Sequence, residues 1–139
     1  MSYDDAIKAL SNNALKFVKD DYIIGLGSGR AATAFVKSLA KLIKVKNYNI
    51  KGVPTSLQIK LIAEKAGIPL VESDQVEFID VVFDGADQID SHKYVIKGGG
   101  GALLRENILF SLAKKVVIMA DKTKFVKNFT RTVPVEVHP

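Results

Sequence analysis

A β-favouring run, a glycine-rich turn and a helical pattern follow one another near the start of the chain, and this succession most constrains the fold. Residues 22–26 are apolar and β-favouring, residues 25–30 read Gly-Leu-Gly-Ser-Gly-Arg, and apolar residues return at helical spacing over residues 31–45. A strand that turns directly into a helix is the first half of a βαβ unit, which places the next strand parallel to the first. The pattern therefore predicts a parallel sheet.

Later segments repeat the alternation of strand and helix. Helical spacing appears over residues 4–19 and 57–66, and short strand-like runs appear over residues 49–53, 68–71, 78–83, 94–96 and 115–119. The run 78–83 is almost continuously apolar, as is typical of a parallel strand that is covered on both faces. We therefore predict an α/β fold: a doubly wound, mostly parallel, Rossmann-like sheet with helices on both faces.

Composition favours a single globular domain and narrows the classes of partner. The chain has 139 residues, 47% of them hydrophobic and 25% charged, and it contains no cysteine. Its 20 Lys and Arg against 15 Asp and Glu give a net charge of +5, but the basic residues form no block and alternate with no aromatic residues. No apolar run approaches membrane-spanning length. We expect a soluble cytoplasmic protein with no nucleic-acid partner and no membrane partner.

The first glycine turn has the features of a phosphate-binding segment. The first N–H groups of a helix lack partners and its dipole favours an anion, while Ser28 offers a hydroxyl and Arg30 a guanidinium. A turn that only packs a strand against a helix remains the alternative. A dinucleotide fingerprint is not met, because the position of its third glycine is Arg30, and no Gly-Lys-Ser/Thr of a P-loop follows.

A second polar constellation lies between residues 84 and 107. Asp84 and Asp87 follow the buried run 78–83, Lys97 follows residues 94–96, and a four-glycine turn leads to Glu106. A carboxylate beside a cation and bare backbone N–H groups suits proton abstraction next to a carbonyl. Individually, these residues are also explained as turn formers and solvated charges. No metal site is predicted, because His92 and His138 are isolated.

These motifs together resemble the type A ribose-5-phosphate isomerase family. The resemblance covers essentially the whole chain and is carried by segments 25–29, 54–56, 84–90, 97–106 and 120–124. It implies an enzyme without metal or cofactor that interconverts D-ribose 5-phosphate and D-ribulose 5-phosphate in the pentose phosphate pathway. It also implies a homodimer or homotetramer with a small sugar phosphate as its ligand.

The resemblance also assigns roles to residues of this chain. Glu106 is similar to the general base, Lys97 to the group that stabilises the enediolate, and Asp84 and Asp87 to the pair that binds sugar hydroxyls and assists ring opening. The other expected substrate-binding residues are Ser28, Gly29, Arg30, Ala31, Gly85, Ala86, Gly98, Gly99, Gly100 and Lys124.

The chain departs from the family pattern in three places. Arg30 and Ala31 stand where many members have hydroxyl residues, and we expect the Arg30 guanidinium to replace them at the phosphate. Gln88 stands where the family often has glutamate, and we expect that change to matter little. Members also continue into a small α/β domain, so residues 1–132 are interpreted as the catalytic domain and residues 133–139, strand-like in pattern, as the start of a connection to a domain missing from this chain.

Two other function classes fit a fold of this kind. A sugar-phosphate sensor, like the effector domains of some transcriptional regulators, would not need Glu106, and no helix-turn-helix pattern precedes residue 22. An enzyme of related fold acting on amino sugars or acyl-CoA is disfavoured by the lysine-glycine segment that begins at Lys97.

Overall fold

The computed structural model describes residues 2–99 and 101–137. Four parallel strands form one sheet in the order β2-β1-β3-β6, and a separate antiparallel ribbon pairs β4 with β5. The strands are β1 (Ile23–Leu26), β2 (Lys51–Pro54), β3 (Ile79–Asp84), β4 (Gln88–Ile89), β5 (Val95–Ile96) and β6 (Ala113–Ile118).

Helices cover both faces of the sheet, which confirms the predicted fold class. They are α1 (Tyr3–Ala14), α2 (Gly29–Lys46), α3 (Leu57–Ala66) and α4 (Leu103–Leu112). On one face the first three helices share a core in which the rings of Phe35 and Phe83 stack 4.0 Å apart. On the other face Leu109 of α4 packs against Val82 of β3. Successive residues of β3 point to opposite faces, so its apolar residues, interrupted only by Asp80 before the strand ends at Asp84, serve both cores.

Local signals fix where α3 begins and ends. The Ser56 side chain accepts a hydrogen bond from the Ile59 N–H at 3.2 Å, and Gly67 ends the helix with a φ of 85°. Both positions confirm the predicted cap and stop. The neighbouring Thr55 is fully buried and donates its hydroxyl to the Leu26 carbonyl at 2.8 Å, so it ties the end of β2 to β1.

Two predicted strands do not form, and a third forms outside the main sheet. Residues 94–96 do not join the main sheet, because a tight turn at Asp90, whose carboxylate accepts N–H bonds from His92 and Tyr94, returns the chain antiparallel to β4. A parallel crossover needs a dozen or more residues, and this turn has far fewer. Residues 68–71 contribute only a single bridge, from Leu70 to Gly52. Residues 133–137 form no strand, and the last two residues of the predicted tail lie outside the described part of the chain.

The parallel topology places the carboxyl ends of β1, β3 and β6 at one edge, beside the first turns of α2 and α4. Ligands bind at this edge in open α/β sheets. Within residues 2–99 and 101–137, no helix has the length and apolarity needed to cross a membrane.

Candidate active site

A cleft of about 270 Å³ opens at the carboxyl ends of the strands. It brings together every predicted site residue that the structure describes, namely Ser28, Gly29, Arg30, Ala31, Asp84, Gly85, Ala86, Asp87, Lys97, Gly98, Gly99, Glu106 and Lys124. Gly100, also predicted to bind substrate, lies outside the described residues. The cleft therefore joins the glycine turn before α2 to the polar stretch that ends in α4.

Asp84 ends β3 at the floor of this cleft and is 1% exposed. Its Oδ1 accepts the N–H groups of Ser28 at 3.1 Å and Gly85 at 2.8 Å. A side chain at Gly27 would place its Cβ 2.2 Å from that oxygen, so only glycine leaves room for the carboxylate. The first glycine turn therefore has a structural role: it leaves room for the Asp84 carboxylate and hydrogen-bonds to it.

Lys97 joins the two buried carboxylates. Its Nζ lies 2.9 Å from Oδ2 of Asp84 and 3.4 Å from Oε2 of Glu106, and it donates a hydrogen bond to the Gly85 carbonyl. Oδ2 of Asp84 accepts no hydrogen bond of good geometry within the described residues, so the ammonium stabilises it chiefly through charge. The three side chains reach this point from β3, from the end of β5 and from α4.

Glu106 lies in the first turn of α4 and is 2% exposed. Burial raises its pKa from 4.5 to about 8, the neighbouring Asp84 carboxylate adds to the rise, and Lys97 acts in the opposite direction. This raised pKa favours the protonated form of the Glu106 carboxyl at neutral pH. A carboxyl that titrates near the working pH is well suited to take up and return a proton.

Asp87 holds the second glycine turn. Its carboxylate accepts the Gly99 N–H at 2.9 Å, and its own N–H donates to the Ile96 carbonyl at 2.8 Å. A Cβ at Gly99 would come within 2.8 Å of the Asp87 carboxylate, so the turn and the carboxylate fit closely. Within residues 2–99 and 101–137, the other oxygen of Asp87 accepts no hydrogen bond.

The opposite end of the cleft is formed by the start of α2. Ser28 is the N-cap residue but makes no side-chain cap bond, so its hydroxyl is not used in capping. Arg30 also lines the cleft, but its guanidinium lies 3.6 Å from the Asp4 carboxylate and 4.5 Å from the Tyr3 ring centre, both on α1. Lys124 approaches from a short 3₁₀ turn at Lys122–Lys124. This end offers helix N–H groups and two cationic side chains to an anion.

Comparison with known proteins settles the family. Residues 51–139 match the family model described as Ribose 5-phosphate isomerase A (phosphoriboisomerase A). The chain belongs to the ribose 5-phosphate isomerase A family. A ribose-5-phosphate isomerase A from Thermococcus kodakarensis is 38% identical over 99% of this chain and 60% of its own length, and one from Prochlorococcus marinus is 43% identical over 94% and 58%. The chain thus spans about 60% of the length of these relatives.

Solved structures of the isomerase A family share the fold. A D-ribose-5-phosphate isomerase in complex with phospho-erythronic acid superposes with a TM-score of 0.88 at 41% identity, over 91% of this chain and 56% of that one. The ribose 5-phosphate isomerase A of Methanocaldococcus jannaschii gives a TM-score of 0.86 at 37% identity, over the same shares of the two chains.

Several residues that line the cleft of this isomerase A family chain were not among the predicted site residues. They are Tyr3, Ile7, Leu10, Ser56, Gln58, Ala102, Met119, Ala120 and Asp121. The sequence gives Ile7 and Leu10 the apolar helical spacing of a core stripe, and that spacing cannot distinguish a core from a cleft wall. Asp121 could have been predicted as a site residue, because it follows a strand at the binding edge. Among the described residues, no group of three His, Cys, Asp or Glu side chains is placed to hold a metal ion.

Proposed function

We propose that the protein interconverts D-ribose 5-phosphate and D-ribulose 5-phosphate through an enediolate, as an aldose-ketose isomerase of the pentose phosphate pathway. The observation that carries this proposal is the contact of Lys97 with both Asp84 and Glu106 in the cleft that begins at α2. Family membership supports it. So does the complex of a related isomerase with phospho-erythronic acid, whose carboxylate shares the planar, negatively charged shape of an enediolate.

Glu106 is proposed as the base that moves the proton between carbons. In the open-chain aldose it takes the proton from C2, a double bond forms between C1 and C2, and the C1 carbonyl oxygen gains the negative charge. The Lys97 ammonium stabilises that charge. Glu106 then returns the proton to C1 while the hydroxyl proton passes from O2 to O1, which yields the ketose. No atom or electron is left over, and no cofactor is needed.

The pKa of Glu106 gives this mechanism a pH dependence. Only the ionised carboxylate can accept the C2 proton, and burial raises the pKa of Glu106 to about 8. We therefore expect kcat/KM to rise with pH up to about 8 and then to level off. Burial, which disfavours the charged form, also makes the carboxylate a stronger base once it forms.

The remaining cleft residues are proposed to bind the substrate. Asp84 and Asp87 would accept sugar hydroxyls and assist ring opening, and backbone groups of residues 85–86 and 98–100 would complete that end of the cleft. The phosphate would lie against residues 28–31 and Lys124, where helix N–H groups and cationic side chains meet. Arg30 would exchange Asp4 for the phosphate. An Arg30→Ala variant with an unchanged KM for ribose 5-phosphate would reject that role.

The quaternary and cellular setting is proposed on the family resemblance alone. We expect a homodimer or homotetramer that works in the cytoplasm without nucleic-acid or membrane partners. Residues 1–132 are proposed as the catalytic domain and residues 133–139 as the start of a connecting segment.

A coupled isomerisation assay tests the function. Wild type, Glu106→Gln and the control Glu77→Gln are compared, since Glu77 is an exposed glutamate outside the cleft. Because general acid-base catalysis contributes roughly 10²- to 10⁴-fold, we expect kcat of Glu106→Gln to fall by at least about 100-fold, with binding of phospho-erythronic acid retained. Equal turnover in wild type and Glu106→Gln would reject the base. Wild type that binds the acid but turns over no substrate would favour a sugar-phosphate sensor.

A further inference from the structure

The helix that carries Glu106 begins without a cap of its own. Its N-cap residue, Ala102, has no side chain that can accept a hydrogen bond, and its φ of −110° and ψ of 19° are not the extended values usual at that position. Glycines precede it. The free N–H groups of the first turn of α4 therefore have to bond to solvent or to acceptors from elsewhere in the chain.

A distant glutamate supplies that acceptor. Oε2 of Glu136 accepts the Leu104 N–H at 2.5 Å, although the two residues are 32 positions apart. A carboxylate at this place satisfies a free donor and also interacts favourably with the positive end of the helix dipole.

The segment that carries Glu136 is itself tied to the rest of the fold. The Val126 N–H donates to the Ile89 carbonyl at 2.8 Å. The buried Gln88 side chain accepts the Thr130 N–H at 3.0 Å and donates to the Thr130 hydroxyl at 2.6 Å. The chain after Lys124 is thus anchored on the β4–β5 ribbon before it reaches α4.

The glycine turn makes the start of α4 dependent on such outside contacts. Gly98 and Gly101 have positive φ values of 91° and 80°, and the turn offers no side chain to hold the helix in place. Leu103 packs over Gly98, where an added Cβ would approach it to 3.1 Å. The Glu106 N–H donates to the Ala102 carbonyl at 3.0 Å, so the backbone of Glu106 moves with the same first turn that Glu136 caps.

We infer that Glu136 is a positioning residue for the isomerisation, acting through the first turn of α4 to hold the Glu106 carboxyl in the cleft. The inference rests on the proposed function. Loss of the cap frays the first turn, so Glu106 spends less time in the geometry that removes a carbon-bound proton. The phosphate end, formed by residues 28–31 and Lys124, is built from other elements, so substrate affinity is unaffected.

The test compares wild type, Glu136→Ala, Glu136→Gln and Glu77→Ala. From the usual effect of losing a helix cap, we expect Glu136→Ala to lower kcat about fivefold and to leave KM for ribose 5-phosphate unchanged. Glu136→Gln keeps an amide oxygen that can accept the Leu104 N–H, so it should restore most of the lost turnover. Glu77→Ala, an exposed glutamate away from α4, should behave as wild type.

Amide hydrogen exchange provides a readout that does not depend on turnover. We expect faster exchange in residues 103–106 of Glu136→Ala than of Glu77→Ala, with wild-type rates in β3. Unchanged exchange, a kcat equal to that of Glu77→Ala, or Glu136→Gln as slow as Glu136→Ala would each overturn the positioning role while leaving the isomerase function standing. A wild-type chain without turnover would overturn the function itself, whatever the exchange rates show.

Discussion

Replacing Glu106 by glutamine should make the folded protein more stable at alkaline pH. The folded-state pKa of Glu106 is about 8, against 4.5 for the ordinary side chain, because the carboxyl is buried beside Asp84. Between those two values the native chain holds a proton that the unfolded chain has lost. The free energy of unfolding of the wild type therefore falls as pH rises through this interval.

The size of this change in the free energy of unfolding follows from the width of the pH interval between the two pKa values. It spans about 3.5 pH units, from 4.5 to about 8. Each unit is worth about 1.4 kcal/mol, so ionisation of Glu106 costs the folded state at most about 5 kcal/mol by pH 9. Glutamine has the shape of the protonated carboxyl and does not titrate. It keeps the pairing of Lys97 with Asp84 and avoids that cost.

Urea unfolding followed by circular dichroism at pH 5, 7 and 9 measures the difference. At pH 5 the two proteins should differ least, and the advantage of Glu106→Gln should grow by several kcal/mol toward pH 9. The control Glu77→Gln, at an exposed position, should follow the wild type at every pH. If the curves of wild type and Glu106→Gln stay parallel from pH 5 to 9, the raised pKa and its explanation by burial are wrong.

Substitutions at three further contacts test other parts of the structure. Lys97→Met leaves the buried Asp84 carboxylate without its cation. We therefore expect about 3–5 kcal/mol less stability by urea unfolding, and no measurable turnover. An unchanged unfolding midpoint would refute the stabilising role of the ion pair. Gly27→Ala puts a Cβ 2.2 Å from the Asp84 carboxylate and should lower the free energy of unfolding by about 1–3 kcal/mol. The Cβ of Gly85→Ala meets nothing closer than 3.6 Å, so that variant should lose less stability. Equal losses would contradict the steric reason. Gln88→Glu keeps an oxygen that can accept the Thr130 N–H, so its stability should be nearly that of the wild type. Gln88→Ala loses that hydrogen bond and should melt at a lower temperature, with a stability loss of about 1–3 kcal/mol. Identical melting of the two variants would show that the bond to Thr130 is unimportant.

Local patterns were enough to predict most of the fold. The alternation of strand and helix, the turn before α2 and the stop at Gly67 each depend on residues that are neighbours in sequence, so their signals survive without tertiary information. The prediction failed where tertiary pairing decides the outcome. Residues 94–96 look like any short apolar strand, and only the length of the turn before them determines which partner they can reach.

The candidate site likewise contains residues that the sequence could predict and residues that it could not. Asp84, Lys97 and Glu106 could be named because each follows a strand or opens a helix at the binding edge, and the family resemblance gave them roles. The face of α1 that lines the cleft could not be named, because the apolar spacing of Ile7 fits a core equally well. The cap that Glu136 places on α4 is a contact across 32 residues, and no local pattern encodes it.

The position of Lys97 just after β5 has a consequence for inactivation. Asp84 ends a strand of the four-stranded sheet, whereas Lys97 follows a ribbon of two paired residues on each strand. So small a ribbon opens at a lower free energy than a sheet buried between helices. Mild urea or warming should therefore release the ammonium group and abolish turnover reversibly, while circular dichroism still reports native secondary structure. The catalytic assembly would then have its own melting transition, ahead of that of the fold.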